Sequence, residues 1–176
     1  MLVKSEQDGL RGGTKLTIYS FQEEVNKPEH QEGNTLCLNY LLSCGKQAVD
    51  VSKDSNYFKR GIDIIVKNPE GEVSVDVKTD TKMNQTGNLA IEMVEICSVE
   101  RKKSGWVFSK IDFIYYLNFA SKDLYTIPLE ELRKISFSQP FRGFSAYHKY
   151  PIKYFTLGIL VPSKLFNKYK INLKGI

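Results

Sequence analysis

Alternation of apolar and polar positions through the middle of the chain predicts a series of β-strands. The apolar positions are rich in Val, Ile, Phe and Tyr, the residue types that favour strands. Six strands and a further short strand segment are predicted over residues 48–51, 62–66, 73–79, 89–96, 111–117, 124–127 and 154–161. Pro69 and Gly71 supply turn chemistry between the second and third strands, which are therefore expected to form a hairpin.

A different periodicity precedes the strands. Apolar residues recur at three-to-four spacing after Pro28, a typical first-turn residue, and Gly45 is a natural stop, so a helix is predicted from Pro28 to about Cys44. Closing helices are predicted over 129–135 and 163–169. Polar or irregular segments are expected at 52–60, 101–105 and 136–151. This order of elements predicts one mixed α/β domain over residues 1–176, with a loose N-terminal arm at 1–15.

Composition narrows the class of protein. The 176 residues are 41% hydrophobic and 26% charged, which is typical of a globular protein. No apolar run reaches the roughly 18–20 residues that a membrane helix requires, and the first residues lack the apolar stretch of a secretion signal. We therefore expect a cytoplasmic protein without a membrane partner.

Charge is distributed unevenly along the chain. No acidic residue follows Glu131, so residues 132–176 carry a formal charge of +9, whereas residues 1–131 carry −4. The nine basic residues of this region are Arg133, Lys134, Arg142, Lys149, Lys153, Lys164, Lys168, Lys170 and Lys174. A basic C-terminal region that follows an acidic remainder of the chain is typical of a protein with a surface that binds a polyanion such as nucleic acid. It is an equally good interpretation that these basic residues only make the protein surface soluble.

The predicted hairpin carries the residues with the clearest chemistry. Side chains alternate along a strand, so Asp76 and Lys78 share the face opposite to that of Val75 and Val77. Asp63 stands at the start of the neighbouring strand, where the hairpin brings it near Asp76. Two carboxylates are suitable oxygen ligands for Mg²⁺ or Mn²⁺, and a lysine beside them offsets charge on a phosphate. The pattern indicates phosphodiester hydrolysis.

At these residues the sequence resembles the PD-(D/E)xK nuclease superfamily, in which one acidic residue precedes an acid-x-lysine motif on the next strand. Here these are Asp63 and Asp76-Val77-Lys78, although Ile62 replaces the family's proline. The order of a helix, a glycine, a β-rich stretch and Gly61-Ile62-Asp63 is also similar.

The resemblance implies a restriction-endonuclease-like core, a central mixed β-sheet flanked by helices, as in phage, bacterial and Holliday-junction-resolvase-like endonucleases. It implies an Mg²⁺-dependent endodeoxyribonuclease, with DNA as partner and a homodimer as a common assembly. Family members often add a glutamate from the first helix as a metal ligand, for which Glu32 is the candidate and Glu29 the alternative. The backbone carbonyl of Val77 corresponds to a further ligand.

Several other residues have both a functional and a structural interpretation. Glu92 lies in the fourth predicted strand and either flanks the site or faces solvent. The basic groups that favour DNA contact are in two segments, Arg101, Lys102 and Lys103 in the first and Arg142, Lys149 and Lys153 in the second. For the first segment a solvated hairpin tip is the alternative.

Three functions remain compatible with the sequence. The first is the endonuclease; the second is a nucleic-acid-binding module on the same fold without catalysis; the third is a protein-interaction factor with a basic surface. For the triad itself, the structural alternative is a half-solvated hairpin in which Lys78 pairs with an exposed aspartate.

Overall fold

Two β-sheets make up most of the structure, a computed structural model that describes residues 28–97, 102–148 and 154–175. The α-helices of these residues are α1 (Pro28–Ser43), α2 (Ser55–Phe58), α3 (Met83–Thr86) and α4 (Leu129–Phe137). Two 3-10 helices span Trp106–Phe108 and Ser163–Tyr169. The strands are β1 (Gln47–Asp50), β2 (Ile64–Asn68), β3 (Gly71–Asp80), β4 (Asn88–Cys97), β5 (Lys102–Ser104), β6 (Phe113–Asn118), β7 (Asp123–Pro128), β8 (Gly143–His148), β9 (Tyr154–Pro162) and β10 (Lys170–Asn172).

The larger sheet has six strands in the order β1-β2-β3-β6-β7-β10. The β3–β6 pair is parallel and the other pairs are antiparallel, so the sheet is mixed. Asn68 pairs with Gly71, which leaves Pro69 and Glu70 as a two-residue turn between β2 and β3. The predicted hairpin and the predicted α/β class with a central mixed sheet are therefore confirmed.

A second sheet was not predicted. It has four antiparallel strands in the order β5-β4-β9-β8. Residues 102–104 pair with β4 and residues 143–148 pair with β9, so the loop at 101–105 and the irregular stretch at 136–151 were wrong at these positions. Both segments pair with the strand next to them in sequence, β5 with β4 and β8 with β9, and this pairing depends on tertiary packing that residue preference alone does not indicate.

Helix α1 agrees with its predicted bounds and ends two residues before Gly45. Its buried residues Cys37 and Leu41 pack against Val75 and Val77 of β3 in one hydrophobic core. The helix therefore covers the face of the larger sheet that carries the valines of β3.

The opposite face of the larger sheet is buried as well. Ile65 and Tyr116 from that face pack with Ile91 of β4, Ile159 of β9 and Leu132 of α4 in a second core. Helices thus flank the central sheet on both faces, as predicted, and the second sheet shares the face of α4. The hairpin is thus buried on both faces at residues 64–66 and 74–77, whereas its turn end is exposed, and Asp76 is not an exposed aspartate.

Smaller differences between the predicted and the observed elements concern two short helices and the last strand. Residues 55–58 form one helical turn within the expected polar loop, because the Asp54 carboxylate caps it by accepting a hydrogen bond of 2.8 Å from the Asn56 amide. The closing helix at 163–169 is a 3-10 helix, and β10 follows it. The predicted N-terminal arm lies outside the described residues. Within those residues, no helix combines the length and apolar character needed to cross a membrane.

Candidate functional site

The candidate site lies on the β2–β3 hairpin, on the face that meets the second sheet. Val75 and Val77 belong to the core beneath α1, so Asp76 and Lys78 of the same strand point to the other side. Asp63 comes immediately before β2, and its backbone amide donates to the Val75 carbonyl at 2.9 Å. Strand alternation and the short turn together place these three residues on one surface.

Asp76 is the buried member of the group. Its side chain is 4% exposed, and its Oδ1 lies 2.9 Å from the Lys78 Nζ, whose side chain is 32% exposed. A buried carboxylate requires a partner of opposite charge or a hydrogen-bond donor, and Lys78 supplies both. The lysine therefore connects the interior of the site to solvent.

Asp63 lies beside Asp76 at a half-buried position. Its Oδ2 accepts a 2.8 Å hydrogen bond from the Val77 backbone amide. Burial raises the pKa of Asp76 to about 7; Lys78 opposes the shift, and both the negative charge of Asp63 and a side-chain hydrogen bond with it favour the raised value. The two carboxyl groups therefore lie within hydrogen-bonding reach of one another.

Lys78 remains an ammonium group in this environment. Burial lowers its pKa, but the negative charges of Asp76, Asp63 and Glu92 outweigh burial, so the pKa lies above its ordinary value. Glu92 comes from β4 of the second sheet. Its position near Lys78 agrees with the interpretation of Glu92 as a residue that flanks the site.

Sequence reasoning missed one neighbour of Lys78. The Trp106 ring centroid lies 5.6 Å from the Lys78 Nζ, within the range of a cation–π contact. Trp106 belongs to the 3-10 helix that follows β5. The sequence carries a single tryptophan, next to a basic segment, but no local pattern connects it with a lysine 28 residues earlier.

The structure does not bring Glu32 to the two aspartates. Helix α1 packs on the valine face of β3, opposite to Asp76, and the Glu32 Oε1 lies 2.8 Å from the Lys122 Nζ. Glu29, one turn earlier, lies on the same helix. In the described ranges no group of three or more His, Cys, Asp or Glu residues is placed to hold a metal ion. The helix glutamate therefore gains no support as a ligand, and the predicted role of the Val77 carbonyl stays a prediction.

The acidic pair nevertheless fits a hard divalent cation. Two neighbouring carboxylates, one of them held partly protonated near neutral pH by burial and repulsion, are stabilised when a cation neutralises their charge. Mg²⁺ commonly takes only one or two protein carboxylates and keeps several waters. Asp63 and Asp76 satisfy that requirement without a third acid.

The predicted nucleic-acid contacts are only partly described. Lys102 and Lys103 lie in β5, and Arg142 is exposed just before β8. Arg101, Lys149 and Lys153 lie outside the described residues.

Part of the basic C-terminal region is neutralised within the protein. Lys134 and Lys168 lie 3.9 Å and 3.6 Å from carboxylate oxygens of Glu131, and Lys170 lies 2.8 Å from Asp123. Arg133 pairs with Glu130. Arg142, Lys164 and Lys174 are exposed and form no ion pair with another described residue. The positive charge available to a polyanion is therefore smaller than the sequence count indicates.

Comparison with known proteins adds one distant likeness. No protein-family model matches the sequence, and no curated protein matches it. A solved structure described as that of a bacterial homing endonuclease, I-Ssp6803I, is similar over 60% of this chain and 70% of its own, with 17% identity and a TM-score of 0.45. The fold and the site by themselves define a mixed α/β protein with a paired-aspartate and lysine site between two sheets.

Proposed function

We propose that this chain is a metal-dependent phosphodiesterase that cleaves DNA, an endodeoxyribonuclease with its active site at Asp63, Asp76 and Lys78. One observation carries the proposal: the two carboxyl groups meet on one face of a hairpin, with an ammonium group 2.9 Å from Asp76. The half-buried Asp63 and the 32% exposure of the Lys78 side chain leave this group accessible from solvent.

The arrangement of the hairpin supports the same proposal. Asp63 and the Asp76-Val77-Lys78 segment stand on neighbouring antiparallel segments, the arrangement expected from the resemblance to PD-(D/E)xK nucleases. The buried position of Asp76 argues against a surface ion pair, because burial of a charged pair is costly and groups with strongly shifted pKa values cluster at functional sites.

Each residue has a role that follows from its environment. Asp63 and Asp76, with the Val77 carbonyl, would hold Mg²⁺ or Mn²⁺. When bound, the cation polarises a phosphoryl oxygen and makes water more acidic. Lys78, which keeps its positive charge, offsets the negative charge that develops on the phosphate during attack. Asp63 is fixed by the Val77 amide and so presents its carboxylate in one orientation.

We propose that DNA is bound by the basic groups of the two segments that the sequence predicts. Arg142 is exposed and without an ion pair in the described part of the chain, so it is available to a phosphate. Arg101, Lys102, Lys103, Lys149 and Lys153 complete the proposed set. Contacts of this kind predict that affinity for DNA falls steeply as salt concentration rises. A homodimer, with one site for each strand of a duplex, is the proposed assembly.

Incubation with supercoiled, branched and single-stranded DNA tests the proposal, in Mg²⁺, in Mn²⁺ and in chelator. The expected result is cleavage that requires the cation. Asp63→Asn, Asp76→Asn and Lys78→Met are each expected to reduce the rate at least about 100-fold, the usual loss for a group that stabilises charge in the transition state.

Matched controls come from the same hairpin. Glu70→Gln removes an exposed acid in the turn, and Lys67→Met removes an exposed lysine of β2. Both are expected to cleave DNA at the wild-type rate. Wild-type protein that binds each DNA without cutting it in any cation would favour the binding module instead. Protein that neither binds nor cuts would leave the interaction factor as the better interpretation.

A further inference from the structure

A lysine is a difficult group to hold in one position. Its ammonium stands at the end of a flexible four-carbon stem, and the Lys78 side chain is about one-third exposed. The bond to Asp76 Oδ1 restrains the distance between the two groups but does not by itself define the direction of the ammonium. A second contact on another side of the ammonium is therefore needed to define its direction.

Trp106 provides a contact of that kind. The indole centroid lies 5.6 Å from the Lys78 Nζ, and Trp is the aromatic side chain that attracts a cation most strongly. Asp76 lies in the larger sheet, whereas the 3-10 helix of Trp106 packs against β4 of the second sheet. The ammonium is thus held from two separate layers of the protein.

The main chain before Trp106 is anchored closely to β4. The Gly105 amide donates a 2.9 Å hydrogen bond to the Met93 carbonyl. A side chain at residue 105 would overlap the backbone carbonyl of Glu92, so this approach requires glycine. The main chain that carries the indole is consequently positioned by contacts with β4.

Arg133 anchors the main chain that follows Trp106. From α4, its Nε donates to the Val107 carbonyl at 2.7 Å and its Nη2 donates to the Ser109 carbonyl at 2.6 Å. Val107 is fully buried. The short helix that carries Trp106 is therefore fixed on both sides, by β4 and by α4.

We propose that Trp106 is a positioning residue of the active site, whose indole holds the Lys78 ammonium in the direction that the phosphate requires. The inference rests on the proposed function, because the phosphate enters only there. The indole touches Lys78 and not the reacting atoms. Loss of the indole is therefore expected to reduce the rate of the chemical step, whereas affinity for DNA stays the same.

A series of substitutions at residue 106 tests this role. Trp106→Leu is expected to lower kcat about 3- to 30-fold, the range that corresponds to loss of one cation–π contact, with KM changed less than about twofold. Trp106→Phe and Trp106→Tyr keep an aromatic face and are expected to recover part of kcat. Phe108→Leu is the matched control, because Phe108 lies on the same short helix, is 46% exposed and stacks on Phe137 instead.

A spectroscopic measurement tests the contact without any cleavage. Trp106 is the sole tryptophan, so the fluorescence of the whole protein reports its surroundings. Lys78→Met is expected to shift the emission maximum, because the ammonium charge next to the indole is lost. Lys67→Met, which removes an exposed lysine of the same hairpin, is expected to leave the emission unchanged.

The outcomes separate this inference from the proposed function. Wild-type cleavage with an unchanged kcat in Trp106→Leu overturns the role of Trp106 and leaves the nuclease standing. A loss of kcat that Phe and Tyr do not recover at all also overturns it, since a general packing defect explains that pattern. Absence of wild-type cleavage refutes the nuclease, and identical emission from wild-type protein and Lys78→Met refutes the contact.

Discussion

The backbone amide of Val77 donates a hydrogen bond of 2.8 Å to Oδ2 of Asp63. Asp63 stands immediately before β2, where the bond from its amide to the Val75 carbonyl continues the pairing with β3, and the Val77 bond holds the carboxylate itself. This bond ties the carboxylate to the middle residue of the Asp76-Val77-Lys78 segment. The main chain of β3 therefore holds the Asp63 carboxylate in position relative to Asp76.

Two substitutions at residue 63 separate the hydrogen bond from the charge. Asp63→Asn and Asp63→Ala both remove the negative charge, but only asparagine keeps an oxygen that accepts from the Val77 amide. We expect the alanine variant to be less stable than the asparagine variant by about 1–3 kcal/mol, the cost of leaving a buried donor unsatisfied. Urea denaturation at one pH measures the difference. Equal stability of the two variants contradicts this role for the bond.

The raised pKa of Asp76 predicts how stability depends on pH. The pKa is about 7 in the folded protein against an ordinary value of 3.8, so between these values the folded state binds more protons than the unfolded state. The contribution of Asp76 to stability is fully present below about pH 4 and is lost as pH rises through 7. The slope approaches about 1.4 kcal/mol per pH unit within this window.

Denaturation of wild-type protein and Asp76→Asn from pH 4 to pH 8.5, in chelator, measures this contribution. In Asp76→Asn the free energy of unfolding is expected not to fall over this pH range. Asp54→Asn changes an exposed aspartate and is expected to show the same fall as wild type. Addition of Mg²⁺ should flatten the wild-type curve, because a cation favours the ionised carboxylate. Parallel curves for wild type and Asp76→Asn would show that Asp76 titrates normally.

Tyr116 is predicted to stabilise the contact between the two sheets. Its hydroxyl donates to Oδ2 of Asp80 at 2.7 Å and accepts from the Ala90 amide of β4 at 3.0 Å. Burial raises the pKa of this hydroxyl well above its usual value, so it stays protonated. Tyr116→Phe leaves the Ala90 amide without its acceptor and is expected to cost about 1–3 kcal/mol in thermal or urea unfolding.

The matched control for Tyr116 is Tyr57→Phe. Tyr57 is partly buried against the same core, and its hydroxyl forms no side-chain hydrogen bond with another described residue. Its loss is expected to change stability by less than about 0.5 kcal/mol. A similar cost in both variants contradicts a specific role for the Tyr116 hydroxyl.

Gly33 is predicted to be required for the packing of α1 on β3. A methyl group at this position would overlap Oγ1 of Thr79. Alanine is the better helix former by about 1 kcal/mol, yet we expect Gly33→Ala to destabilise the protein by about 1–3 kcal/mol, because overpacking outweighs helix propensity. Asn39→Ala, at an exposed position of the same helix, is expected to be neutral or stabilising.

A double-mutant cycle tests the cause of that destabilisation. The Thr79 hydroxyl is buried without a hydrogen-bond partner in the described residues, so Thr79→Ala removes the obstacle at little cost. The combination of Gly33→Ala with Thr79→Ala is expected to regain most of the lost stability. Simple addition of the two single effects would place the defect elsewhere.

The chemistry of the hairpin could be predicted from the sequence because it depends on short-range rules. Strand alternation places Asp76 and Lys78 on the same face of β3, regardless of how the rest of the sheet is arranged. Pro69 and Gly71 define the turn that brings Asp63 next to Asp76. The helix over Pro28–Ser43 followed from periodicity and a terminating glycine for the same reason. These features require no knowledge of distant segments.

The position of Glu32 relative to the two aspartates is not determined by such short-range rules. Periodicity indicates which side of α1 is apolar, but not which face of the sheet that side covers. The helix lies on the valine face, so Glu32 reaches Lys122 instead of Asp76. Only the tertiary structure decides between two faces that are both lined by apolar residues.

The sequence by itself determined the hairpin, the faces of its residues and the uneven distribution of charge. The tertiary structure alone decided that a second sheet packs on this face and that Glu92 and Trp106 lie near Lys78. That sheet depends on pairing between β4 and β9, whose paired residues are more than 55 positions apart. Pairing over such a distance is stabilised by mutual burial and not by local conformational preference, so no window of the sequence encodes it.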